Sequence, residues 1–308
     1  FGMLFGGTLL APLADRFGRR KLIIVTTLMA SLAAFMTGHA STPIELGACR
    51  LVTGLALGAL VPSAVNLISE FAPQGRRSTM ITVMSSFYSV GAVLSALLAI
   101  AVIPQWGWQT VFYVAVLQVL AVPFMLRYLP ESAAFLELKG RRAELDQLLV
   151  KVDPGFRPGT ELRLPRNDSQ VRAARLPQLF SKGQALATLL LWVAFAMCML
   201  MSYGLNTWLP KLMAHGGYPL GSSLAFLVTL NIGATVGALF GGWLADKLGV
   251  QRTLALFFVL AAVSLAALGF KPGPLVLNLL LLIAGATTIG TLAVIHAYAS
   301  IAYPAHIR

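Results

Sequence analysis

Charge is what this chain has least of. Only 11% of its 308 residues are Asp, Glu, Lys or Arg, against 57% apolar, whereas a water-soluble domain carries charge on about a quarter of its positions. Too little polar surface is left to keep a folded sphere in water, which excludes a soluble globular protein. Acids are scarcer than bases, 11 against 23, and none lies deep in an apolar run, because Glu45 and Glu70 sit near the ends of theirs. Cysteine is confined to Cys49 and Cys198, both inside apolar stretches, so neither a disulfide framework nor a Cys-based metal site is expected. Gly-x-Ser-x-Gly, His-Glu-x-x-His, phosphate-loop and paired Cys/His spacings are missing, which argues against a membrane enzyme and implies no cofactor.

What the chain does have is long apolar runs. A helix crossing a bilayer needs about 20 mainly apolar residues, and nine runs qualify as candidates: 1–14, 22–40, 44–68, 79–103, 109–129, 184–209, 223–245, 253–270 and 274–301. They are continuous, not alternating, so a strand barrel is excluded and an all-α membrane protein is expected. The first run begins at Phe1 already apolar and the last closes just before Arg308, the pattern expected of a fragment truncated at both ends.

The basic residues divide by side. Alternate connections hold Arg16, Arg19, Arg20 and Lys21; Arg76 and Arg77; eleven residues from Arg127 to Lys182; Lys247 and Arg252; and Arg308. The opposite connections hold only Lys211 and Lys271, and Arg50 lies within a run. The richer side is placed in the cytoplasm. The net charge of +12 is then a topology signal, and nucleic acid is not an expected partner.

One connection is of domain-dividing size. Residues 130–183 are polar, and separate a first helical half, 1–129, from a second, 184–308. Within this segment Ser132 to Val150 sets Phe135, Leu138, Leu145, Leu148 and Leu149 among charges, a pattern that predicts a helix lying on the cytoplasmic membrane surface. Pro154 to Pro165 is rich in helix breakers.

The strongest internal signal is a repeat. Ala11-Pro-Leu-Ala-Asp-Arg-Phe-Gly-Arg-Arg-Lys21 aligns with Gly242-Trp-Leu-Ala-Asp-Lys-Leu-Gly-Val-Gln-Arg252, sharing Leu, Ala, Asp and Gly and two basic positions. Gly18 and Gly249 permit a tight turn. Asp15 and Asp246 can accept hydrogen bonds from a helix N-terminus or pair with a base. Internal duplication of this kind is how many carriers are built.

With this repeat the chain resembles the major facilitator superfamily, whose signature loop recurs in its two halves. The resemblance implies two pseudo-symmetric six-helix halves, of which the nine runs would be the family's helices 2 to 10, with 130–183 as the central loop. Ala11 departs from the family's usual first Gly. Arg50, Gly54, Gly58 and Pro62 at four-residue steps, and Glu70-Phe-Ala-Pro-Gln-Gly-Arg-Arg77 after them, match in order. Pro130-Glu131-Ser132 with Phe135-Leu136 is similar to the segment after the sixth helix in sugar and aromatic-acid porters, and Trp208-Leu-Pro210 and Tyr303-Pro304 with Arg308 are similar to the aromatic acid:proton symporters. That resemblance implies a monomeric secondary carrier that binds its substrate between the halves and takes up a benzoate-like or hydroxybenzoate-like anion with a proton. The same fold with a sugar or another organic acid as cargo is the alternative, and a nontransporting sensor a more distant one.

Arg50 is the sharpest candidate: about six residues at 1.5 Å each place it roughly 9 Å from the outer boundary, where a charge needs an aqueous cavity or an acid, and a permanently charged fork suits a carboxylate. His296 is the candidate for proton exchange, with an interhelical hydrogen bond as the alternative. Tyr88, Tyr203, Asn206 and Asn231 are candidates to orient an aromatic acid, or are polar links between helices. Gly54 and Gly58 suit close helix packing. Asp15, Gly18, Arg19, Glu70, Arg76, Asp246, Gly249 and Arg252 form the candidate gating motif, implied by the resemblance to make pairs that break during alternation.

Overall fold

The computed structural model describes residues 1–73, 75–152, 185–215, 220–270 and 273–302. Residues 153–184, which hold Pro154 to Pro165 and the part of the expected central loop beyond residue 152, lie outside the described residues, as do Lys271, Tyr303, Pro304 and Arg308.

Every described element is helical. In chain order these are α1 (Gly2–Phe5), a π-helical turn (Gly6–Leu10), α2 (Leu13–Phe17), α3 (Arg19–Gly38), α4 (Pro43–Phe71) and α5 (Arg77–Trp106). Then come α6 (Gln109–Ala115), a 3₁₀ segment (Val116–Leu120), α7 (Ala121–Tyr128), α8 (Ala133–Leu138) and α9 (Arg142–Val152). The series ends with α10 (Ala185–His215), α11 (Leu220–Leu248), α12 (Val250–Leu268) and α13 (Pro274–Ala302).

Among the described residues eight helical stretches are long and apolar enough to span a bilayer, against nine expected. The difference lies at residues 1–14, which are helical but broken into α1, the π turn and α2. Fourteen residues at 1.5 Å rise reach only about 21 Å, short of a ~30 Å hydrocarbon core. Several other helices extend past the apolar run that predicts them, for instance to Phe71 and His215, because polar residues outside the hydrocarbon continue a helix without penalty.

Local chemistry sets the ends. Glu45 N–H donates to Thr42 Oγ1 at 3.2 Å while Glu45 Oε2 accepts from Ser41 N–H at 2.9 Å. With Pro43 in the first turn, this reciprocal capping starts α4. The expected surface helix Ser132–Val150 is instead two helices, α8 and α9, because Gly140 turns the chain at φ +65°. Phe135 and Leu136 of α8 pack with Leu145 of α9, and Leu148 and Leu149 lie against them. Leu138 is left exposed.

Packing divides the chain into two compact units, one of Phe1–Phe71 with Val102–Arg166 and one of Ala72–Ala101 with Asn167–Arg308. In the first unit α3 and α4 form the main helix pair, and α1 lies along α4. Gly2 and Gly6 sit against the carbonyls of Leu51 and Leu55, and Gly54 and Gly58 return the contact against the backbone of Gly2 and Met3. In the second unit α11 and α13 pair most extensively. Gly233 and Gly237 there meet the carbonyls of Leu282 and Ala286, and Gly285 meets that of Leu230. Small residues on both partners let the backbones touch, which supplies the van der Waals contact that holds helices together where lipid removes the hydrophobic drive. Buried hydroxyls such as Thr26, Thr37 and Thr288 donate to carbonyls of their own helix, so few polar groups face hydrocarbon unsatisfied.

Candidate functional site

Arg50 is the eighth residue of α4 and projects to an exposed position. Its guanidinium carbon stands over the Phe112 ring of α6, 4.6 Å from the centroid. Trp108, just before α6, meets Phe112 edge-on with centroids 5.8 Å apart. Gly107 at φ +78° makes the turn before α6, which packs against α3. No carboxylate pairs with Arg50 among the described residues, so among them nothing acidic competes with an incoming anion for its N–H donors. Phe112 was not singled out by sequence; the signal available was its i, i+4 spacing from Trp108 behind a turn glycine.

The second unit gathers the other polar candidates into two pairs. Tyr88 of α5 lies close enough to Tyr203 of α10 for their side chains to interact. Asn231 of α11 donates from Nδ2 to Asn206 Oδ1 at 3.0 Å and to the Leu227 carbonyl at 2.9 Å. Asn206 in turn donates to the Ser202 carbonyl. Asn231 is only 2% exposed and its Oδ1 has no partner among the described atoms, so this pair acts first as a link between α10 and α11. Both tyrosines are more open, and their rings and hydroxyls are what a planar polar ligand could meet. His296 of α13 stands edge-on to Phe195 at 5.5 Å, and its Nδ1 is buried without a hydrogen-bond partner among the described residues. The structure therefore brings Tyr88 to Tyr203 and Asn206 to Asn231, and sets His296 beside an aromatic ring.

The repeated turns share a backbone. Gly18 has φ 101° and ψ 143°, Gly249 φ 90° and ψ 145°, and each opens the next helix, α3 or α12. Their acids behave differently. Asp246 accepts from Ser78 N–H at 3.2 Å, Thr79 N–H at 2.9 Å and Thr79 Oγ1 at 2.5 Å, which caps the N-terminus of α5 from another helix. Asp15 is three-quarters exposed and stands 3.9 Å from Arg19.

Arg19 makes its close ion pair with Glu70, near the end of α4. The other Glu70 oxygen accepts from Ser132 Oγ at 2.7 Å, and the same hydroxyl accepts from Phe135 N–H at 3.2 Å to cap α8. Glu131 Oε1 accepts from the N–H groups of Arg20 and Ser132 at 3.1 and 3.0 Å, and its carboxylate fills the space where a side chain on Gly18 would sit. Arg20 also donates to the Leu126 carbonyl. Thus the Arg19–Glu70 pair and the Asp246 cap each lie inside one compact unit. Arg76 and Arg252 are exposed and make no ion pair among the described residues. Ser132, Glu131, Arg20 and Thr79 complete these clusters; in the sequence Glu131 and Ser132 stand out only as part of a family-like motif and Arg20 only as one of the basic residues of its connection.

Two apolar hollows of the first unit lie apart from these groups. One, about 150 Å³, is lined by Met29, Leu32, Ala33, Met36, Ala48, Cys49 and Val52. The other is lined by Leu28, Ser31, Leu32, Phe35, Val116 and Val119. Neither presents a charged group, so neither suits an anion.

Comparison with known proteins follows the same lines. The Major Facilitator Superfamily matches over residues 1–308. A benzoate transport protein of Acinetobacter baylyi is 31% identical over all of this chain and 68% of its own length. A gallate transporter of Pseudomonas putida is 33% identical over all of this chain and 69% of its own. Among solved structures, the proton:xylose symporter XylE superposes with a TM-score of 0.73 at 18% identity, covering 99% of this chain and 71% of its own, which shows a shared fold. Duplicated glycine turns, membrane-length helices and these likenesses agree: the chain belongs to the Major Facilitator Superfamily and is a carrier, not an enzyme.

Proposed function

We propose that this carrier takes up an aromatic carboxylate of the benzoate or hydroxybenzoate type together with a proton, by alternating access, as a monomer in the inner membrane with residues 130–183 on the cytoplasmic side. The observation that carries the reading is Arg50: a permanently charged fork, set over an aromatic ring at 4.6 Å and free of any carboxylate partner among the described residues. A guanidinium binds a carboxylate through two parallel hydrogen bonds. The relatives named for benzoate and gallate support the choice of an aromatic acid as cargo.

Tyr88 and Tyr203 supply ring faces and hydroxyls for the body of such a substrate, and His296 is the group proposed to exchange the proton. Asp15, Gly18, Arg19, Glu70, Arg76, Asp246, Gly249 and Arg252 are proposed to hold and release the turn end of the helices during the cycle. The test is uptake in proteoliposomes with labelled benzoate, 4-hydroxybenzoate, glucose and a dicarboxylate. Benzoate-type uptake driven by an inward proton gradient is expected, and abolished by Arg50→Ala at normal membrane insertion. Wild-type uptake by that variant would remove the anchor role, and flux of glucose alone would replace the cargo.

A further inference from the structure

We infer that Phe112 is the positioning residue for the Arg50 guanidinium, holding the anion anchor by its flat face so that its hydrogen-bonding edge stays unoccupied. This rests on the reading of Arg50 as the substrate anchor. An arginine inside a membrane protein has to be held by something, because a bare guanidinium on a flexible stem is costly there and explores many rotamers. Holding it with a carboxylate would fix it, but would also fill the two donors that a substrate carboxylate needs. An aromatic face solves the conflict. The ring's negative quadrupole attracts the cation through its π side, and it accepts no in-plane N–H. Five donors then remain for an anion arriving at the edge.

The geometry on the page fits this division of labour. The guanidinium carbon is 4.6 Å from the Phe112 centroid, well inside the ~6 Å range of such contacts. Phe112 is itself braced by Trp108, edge-on at 5.8 Å with the rings at 83°, an arrangement that aromatic pairs favour. Trp108 and Phe112 lie four residues apart, one helical turn, so they stack along one face of α6. Arg50 thus leans on a two-ring post. All three residues belong to the first compact unit.

The experiment is uptake of labelled benzoate by cells expressing the full chain, normalised to the amount in the membrane. Phe112→Leu, and Phe112→Met as a second ringless variant of similar bulk, are expected to raise KM about 3- to 30-fold with the maximal rate little changed. Phe112→Trp, which keeps a ring face, is expected to retain the wild-type KM. A residue that served only to fill space would give the opposite order, with Leu or Met tolerated and the larger Trp damaging, and that result overturns the inference. If Leu, Met and Trp variants all match wild type while Arg50→Ala abolishes uptake, Phe112 is not the support but the anchor stands. If Arg50→Ala transports normally, the anchor itself falls, and with it this role.

Discussion

Removing the Asp246 carboxylate should unfasten the start of α5. That helix begins at Arg77, and the residue before it, Arg76, already gives its carbonyl to Met80 N–H but has no side-chain oxygen with which to cap the first turn. Ser78 and Thr79 would leave their N–H groups without an intrahelical acceptor, and Ser78 is 1% exposed, so water does not replace one. Asp246, reaching across from the end of α11, takes both N–H groups and the Thr79 hydroxyl. Loss of a capping side chain costs about 0.5–2 kcal/mol, and loss of a negative charge at a helix N-terminus about 0.3–1 kcal/mol more. Asp246→Ala is therefore expected to destabilise the second unit by about 1–3 kcal/mol. Asp246→Asn keeps an acceptor oxygen and gives up the charge, so it should lose about 0.3–1 kcal/mol. Thermal unfolding of the purified protein in detergent should rank wild type above Asn above Ala. Thr79→Val removes the hydroxyl partner, and combined with Asp246→Ala it should cost less than the two singles added, because both act on one cluster. An Asp246→Ala protein as stable as wild type, or strict additivity with Thr79→Val, would refute the cap.

Two further changes test packing and the α8 cluster. Gly237→Ala drives a methyl against the Ala286 backbone and is expected to lower thermal stability and membrane yield, whereas Gly91→Ala in α5 meets nothing within 4 Å and should leave both unchanged or improved; equal effects would show that the α11–α13 contact is not close. Ser132→Ala deletes the acceptor for Phe135 N–H and the donor to Glu70, a loss of about 1–2 kcal/mol, and faster hydrogen exchange over residues 133–138 is the expected result, with unchanged protection ruling out the cap.

Much of the architecture was legible because its causes are local. A bilayer forces length and apolarity onto each span, and the spans from residue 19 onward follow from composition alone. Gly18 and Gly249 could be picked out because a positive φ favours a residue without Cβ. Other features depend on partners distant in sequence. Nothing near Asp246 announces that its acceptors serve residues 78 and 79, or that Glu70 takes a hydroxyl from Ser132. Gly140, by contrast, stands in the sequence between the two apolar sets, and the turn it permits lets Phe135 and Leu136 gain burial by folding α8 back on α9. Phe112 was hidden for a different reason. A phenylalanine in an apolar run ordinarily faces lipid or core, and only the position of Arg50 gives it another role.

The duplication also explains why the two acids of the repeat differ while the two glycines agree. Backbone shape at Gly18 and Gly249 is a property of the turn itself and needs no partner, so it is retained to within about 11° in φ and 2° in ψ. The carboxylate is a property of what lies opposite. Asp246 has the start of α5 in its own unit and is bound by three donors. Asp15 faces outward with a single arginine at 3.9 Å, and in its unit the tighter bond to that arginine comes from Glu70. With Asp15 exposed and its partner this far off, the pair is worth under about 1 kcal/mol, so Asp15 contributes little to the stability of its own unit. The proposed gating role gives it another use, since a weak bond that can be exchanged suits a transport cycle better than a strong one.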